Sequence, residues 1–131
     1  MPRLLLVDDD SGRLALLAAG MLTLEGAPGF SEVVPCALAA PSTDPLPAAC
    51  LAEVGLLLPP VLHDLSSLPR GAGDVLLSLG LQPHPEALAH LPSTLPPDDA
   101  PPLARRAGAR IARDQLARRL AVLLPALPPR G

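Results

Sequence analysis

The sequence predicts an α/β protein with a small, about four-stranded parallel sheet, covered by helices on both faces as a three-layer α/β/α sandwich. Three observations lead there. Short apolar runs of strand length alternate with longer stretches of helical spacing, which is the signature of strand-helix-strand units. The short runs are apolar throughout, as strands covered on both faces are. The chain is 49% hydrophobic but 1% aromatic, with Phe30 as its one aromatic residue, so the core is built from Leu, Val and Ala, which suits helices on a sheet.

The first strand is read at 3–7, "RLLLV", ending at a polar turn. "SGRLALLAAGMLTLEG" follows as a helix, with an Asp or Ser as N-cap and Gly26 as C-cap. "FSEVVPCALA", 30–39, is a second strand. "TDPLPAACLAEVG" is a second helix, with Asp or Thr as cap, Pro45 in the first turn and Gly55 as terminator. The stretch 56–73, rich in Leu, Pro, Ser and Gly, reads as irregular, and "DVLLSLG", 74–80, as a buried strand. Seven prolines between 81 and 102 predict loop around a short strand or turn near 86–91. From Leu103 a long helix is expected, with Leu103, Ala107, Ile111, Leu116, Leu120 and Leu124 on its apolar side. Arg105, Arg106, Arg110, Arg113 and Arg119 largely face outward, and Pro125 ends the helix. Residues 1–124 are read as one domain and 125–131 as a proline-rich tail.

A chain of 131 residues can bury a core without disulfides or metals. The formal net charge is -3, with ten arginines, no lysine and no long basic run, which disfavours nucleic acid as a partner. No apolar segment has the length of a membrane span, and the opening residues lack the apolar core of a signal peptide. Cytoplasmic localisation is expected. Cys36 and Cys50 read as buried reduced thiols rather than a disulfide.

Asp8, Asp9 and Asp10 follow the first strand, where α/β proteins place ligands. "LLLVDDDSGRLALLAAGML" resembles the opening of a response-regulator receiver, whose acids hold a divalent cation beside a phospho-accepting Asp. Asp64 in "VLHDLSSLP" is the best acceptor, but the lysine such a site uses is missing from the chain. Asp8 and Asp10, one residue apart, also resemble the nucleophile and acid/base pair of haloacid-dehalogenase-like phosphatases, which need Mg2+. His63, His84 and His90 lack ligand spacing and read as loop histidines. Ser66 and Ser67 beside His63 and Asp64 are too close in sequence to converge as a triad.

A third resemblance covers nearly the whole chain. The low-molecular-weight protein tyrosine phosphatase and arsenate reductase family opens with a strand, then Cys, five residues and Arg running into a helix. Here the frame is Val7, "DDDSG" and Arg13. "FSEVVPCAL" is similar to the family's second strand, "TDPLPAACLAEVGLLL" to its second helix and "HDLSSL" to the segment that follows. "GDVLLSLG" is similar to its third strand, "TLPPDDAP" to its acid loop and "ARIARDQLARRLAVLL" to its final helix.

In that family the thiolate attacks phosphorus or arsenic, backbone N–H groups cradle the oxyanion, Arg binds it, and an Asp protonates the leaving group. The resemblance puts the nucleophile on Val7, a loop hydroxyl on Ser11, the arginine on Arg13 and the acid on Asp98. Val7 has no nucleophilic atom, so the resemblance implies a non-catalytic binding, regulatory or scaffolding protein with a protein partner or a second copy of itself. Cofactors are not expected, and three carboxylates beside one Arg13 argue against phosphate or arsenate binding. If Asp98 and Asp99 reach the same mouth, Asp8, Asp9, Asp10, Asp98 and Asp99 form a cluster that invites Mg2+ or Ca2+. The simpler reading, a solvated acidic loop capping the first helix, is preferred. A metal-dependent phosphohydrolase or a receiver-like module is the alternative.

Overall fold

The computed structural model describes residues 2–8, 11–59 and 61–127. Nine elements follow in order: β1 (Leu4–Asp8), α1 (Arg13–Glu25), β2 (Val33–Ala37), α2 (Leu46–Ala52), β3 (His63–Asp64), a 3₁₀ turn (Leu65–Ser67), β4 (Val75–Gly80), β5 (Ala89–Pro92) and α3 (Pro102–Ala126). The five strands form one sheet in the order β3-β2-β1-β4-β5. Every pairing is parallel. The α/β class predicted from the sequence is the one observed. The sheet gains a fifth strand because β3 is two residues long, too short to register as an apolar run.

Strand alternation divides the core. Leu4, Leu6, Leu77 and Leu79 face α1 and α3, meeting Leu14, Ala18, Leu116 and Leu120. Leu5, Val7, Val34, Cys36 and Leu76 face the other way and are covered by Leu65, Leu68 and Ala87. On that second face the covering layer holds the 3₁₀ turn, within the stretch 56–73 that the sequence marks as irregular. Helix α2 lies on α1 and α3 through Cys50 and Leu51, against Leu17 and Ala109. That approach needs Gly20, since a Cβ there would collide with Leu51.

Helix α3 departs from its predicted face. Its buried stripe is Ala109, Ala112, Arg113, Leu116, Leu120 and Leu124, whereas Leu103 is 84% and Ile111 58% exposed. The predicted stripe follows the large residues, but in the first half of α3 the neighbours come so close that only small ones fit. A Cβ on Gly108 would strike Pro96. Arg113, expected outside, is buried and donates to the Cys50 carbonyl at 2.7 Å and to Glu53 at 3.1 Å. Arg110 also binds the Glu53 carboxylate, and its hydrogen bonds lead the causes that hold Glu53 down to about 2. Pro125 lies inside the last turn of α3 without ending it.

At the opposite end of β1, Asp74 accepts from Arg3 Nη2 at 2.7 Å, from the Arg3 backbone N–H at 3.2 Å and from the Gly71 N–H at 2.8 Å. Those donors, the Arg3 side chain foremost, lower the Asp74 carboxyl to about 2. This clamp fixes the entry into β1 against the entry into β4.

Candidate functional site

The strand order reverses at β1, whose successor in the chain, β2, lies on one side while β4 lies on the other. A crevice therefore opens beyond the carboxyl ends of β1 and β4, the position where open α/β sheets bind ligands. A cleft of about 160 Å³ occupies it, lined by Asp8, Arg13, Leu14, Leu81, Ser93, Thr94 and Leu95.

Asp8 is the last residue of β1 and is 2% exposed. Its Oδ1 accepts from the Gly12 N–H at 2.9 Å, and its Oδ2 from the Leu14 N–H at 2.8 Å and the Ala15 N–H at 3.2 Å. These amides include first-turn donors that a helix leaves without internal partners. Gly12 presents its N–H there from a left-handed conformation, φ 93°, with Leu62 packed where a Cβ would stand. The positive end of the α1 dipole favours a carboxylate at this point. The side chain that the fold aims into the cradle is thus that of Asp8. Val7, given the nucleophile's place by the resemblance, points to the other face of the sheet among Leu5, Val34 and Cys36.

Arg13 begins α1 and places Nη1 2.9 Å from Asp98 Oδ1 and 3.3 Å from Asp44 Oδ2. Arg105 of α3 reaches the same Asp44 oxygen at 2.8 Å. Asp44 accepts from the Leu46 N–H with its other oxygen, at 3.0 Å, so one carboxylate caps α2 and ties two arginines together. Sequence reasoning gave Asp44 only the capping role, because a contact 61 residues away in the chain leaves no local signal. The loop carrying Asp98 does reach the Arg13 guanidinium, and Pro96 anchors that loop on Gly108. Ser11 joins the arrangement through its carbonyl, which accepts from the Ser42 N–H at 3.1 Å.

The predicted acidic cluster does not assemble among the described residues. Asp8 turns onto backbone amides, Asp98 onto Arg13, and Asp99 is exposed. Asp9 and Asp10 lie outside the described residues. Among the described residues no three His, Cys, Asp or Glu side chains are grouped to hold a metal ion.

The receiver geometry is absent as well. Asp64 sits on β3 at the sheet edge, with β2 between it and β1, and its carboxylate accepts from Ser66. Of the expected loop histidines, His63 is in β3 and His90 in β5. His90 Nε2 lies 2.9 Å from the Gly80 carbonyl oxygen and Nδ1 2.7 Å from Ser78 Oγ. A carbonyl only accepts, so Nε2 carries the proton, and Nδ1 pairs with the Ser78 hydroxyl. Ser78 is buried, and the pair fastens β4 to β5.

Both thiols lie away from the cleft, as buried free cysteines. Cys36 is enclosed in the second sheet face, where burial pushes its thiol up to about 11. Cys50 lies between α2, α1 and α3, and burial raises it too.

No family model matches the sequence, and no curated protein does. Solved structures match in fold. An arsenate reductase in the phosphate binding state superimposes with a TM-score of 0.74 at 20% identity, covering 98% of this chain and 100% of that one. The arsenate reductase of Archaeoglobus fulgidus DSM 4304 gives 0.65 at 12% identity over 93% and 98%. The YwlE arginine phosphatase of Geobacillus stearothermophilus gives 0.58 at 16% identity over the full length of both chains. The chain has the fold of these proteins, and the resemblance noted in the sequence is to the same group.

Proposed function

We propose that this chain is a non-catalytic protein on the arsenate reductase and low-molecular-weight phosphatase fold, acting by binding or scaffolding rather than by turnover. One observation carries the reading: the cradle at the end of β1 receives the carboxylate of Asp8, while both thiols are buried elsewhere, in β2 and α2. A thiol pushed up to about 11, as Cys36 is, is not a thiolate at neutral pH, and thiolate is the form that attacks phosphorus or arsenic. The same free thiols support a reducing, cytoplasmic setting. No helix among the described residues is long and apolar enough to cross a membrane.

A protein partner, a second copy included, is supported by the groove beside the cleft, where exposed Leu81 and Ile111 stand with Pro92 and Pro97. The decisive assay is turnover. The protein is given an aryl phosphate, and arsenate with a thiol reductant, each with and without Mg2+, Mn2+ or Ca2+. The expected rate is background throughout. Turnover that disappears in Cys36→Ser, or metal-dependent turnover that disappears in Asp8→Asn, overturns the proposal.

A further inference from the structure

We infer that the outward face of α3 is a self-association surface, on which a second copy of this chain packs its own α3 antiparallel. The inference deepens the binding reading and rests on it for the expectation of a partner, but it is tested by association and not by turnover.

A helix on the surface of a single domain is expected to be polar on the side opposite its buried stripe. Helix α3 buries Ala109, Ala112, Arg113, Leu116, Leu120 and Leu124. Opposite them, at spacings of three and four residues, stand Ala104, Ala107, Ile111, Gln115, Arg118 and Val122. Arg118 is the one charge in this outer stripe, and its two large apolar residues, Ile111 and Val122, are 58% and 76% exposed.

Two features name the occupant, and the first is shape. Ile111 and Val122 lie equally far from the midpoint between Leu116 and Ala117. An antiparallel pairing about that point therefore sets Ile111 of each copy on Val122 of the other, as a two-fold contact requires. Beside Val122 an apolar cleft of about 490 Å³ opens, walled by Leu91, Leu123 and Ala126. The exposed Ile111 side chain of one copy stands at the mouth of that cleft in the other, and symmetry makes the same contact twice.

The second feature is charge. Asp114 precedes Arg118 by four residues, a favourable spacing for an ion pair within one helix. Its carboxylate instead turns onto Arg113, at 2.8 and 3.3 Å, while remaining half-exposed. Arg118 is exposed and enters no ion pair among the described residues. In the antiparallel pairing Gln115 of one copy lies level with Arg118 of the other, which brings that guanidinium beside Asp114 of the facing helix. A parallel pairing would set Arg118 against Arg118, and like charges in register oppose it. Contact along one helix of 25 residues, about 37 Å long, belongs to the smaller class of interfaces, so reversible association in the micromolar range is expected rather than a permanent dimer.

The test is sedimentation from about 10 μM to about 1 mM, with the wild type passing from monomer to dimer within that range. Ile111→Glu places a charge in the apolar contact and should weaken association at least about tenfold. Leu57→Glu, at an equally exposed apolar residue outside α3, should leave it unchanged. Both side chains are exposed, so both variants should keep the Tm of the wild-type monomer. Orientation is read by disulfide trapping, since Cys36 and Cys50 are buried. Ile111→Cys mixed with Val122→Cys should cross-link readily. Ile111→Cys alone should not, because its two copies stand about 16 Å apart along antiparallel helices.

A wild type that stays monomeric throughout the range overturns the inference. So does a dimer as strong in Ile111→Glu as in the wild type, or Ile111→Cys cross-linking to itself faster than to Val122→Cys. A monomeric wild type leaves the absence of turnover standing, whereas turnover by the antiparallel dimer would overturn the non-catalytic reading alone.

Discussion

The two ends of β1 each hold a carboxylate, and they hold it in opposite ways. At the entry, Asp74 is paired with a full charge, Arg3, at a half-buried site supplemented by backbone N–H groups. At the exit, Asp8 accepts, among the described residues, from backbone amides of the loop and first turn of α1, in a site almost without exposure. The first arrangement is a clamp between two strands and can be loosened by solvent. The second orders a loop around a charge, and removing that charge leaves several buried donors facing nothing. A half-buried ion pair, whose arginine still reaches solvent, contributes modest net stability, whereas an interior carboxylate held by preorganised dipoles is costly to disturb.

Four substitutions test that contrast. The largest effect is expected from Asp8→Ala in phosphate-free buffer, a loss of about 3 kcal/mol by denaturant unfolding from the orphaned amides. A loss no larger than that of Asp74→Asn would erase the distinction between the two ends. Next comes Gly108→Ala, which drives a methyl group into Pro96 and should cost about 2 kcal/mol by overpacking. It should also make the 94–101 loop, with Asp98, exchange amide hydrogen faster.

Asp74→Asn should cost about 1 kcal/mol at neutral pH. Because the folded-state carboxyl is lowered to about 2 from the ordinary 3.8, the Asp74 contribution is complete above pH 4 and is lost as pH falls toward 2. An acid unfolding profile of Asp74→Asn should therefore be flatter than the wild type through that window. The smallest effect belongs to Glu53→Gln. Glu53 is likewise lowered to about 2, from 4.5, so its stabilisation is also present at neutral pH and lost on acidification. Two of its three arginine partners, Arg106 and Arg110, are exposed, the buried Arg113 keeps Asp114 and the Cys50 carbonyl, and the change in Tm should shrink further in high salt.

The sequence by itself determined the α/β class, the order of strands and helices, and the position of the candidate site after the first strand. These follow from apolar periodicity and from Gly and Pro punctuation, which are local properties of the chain. That Arg13 and Asp98 belong to one site was legible only because the order of six segments resembled a known family, and their pairing emerged only in the structure. Tertiary structure alone decided the rest. The phase of α3 was fixed by close approaches at Gly108 and Ala109 rather than by its largest side chains. The edge strand at His63–Asp64 exists because β2 offers it a partner. Asp44 gathers Arg13 and Arg105 across distances that no window of sequence spans.

The cradle shows the same division most sharply. Counting residues back from Arg13 leads to Val7, but the direction of a side chain depends on which face of the sheet its strand position occupies. The sheet turns Val7 into the core and Asp8 into the cradle. Composition could mark this loop as acidic; only the fold turns the carboxylate of Asp8 onto the start of the helix.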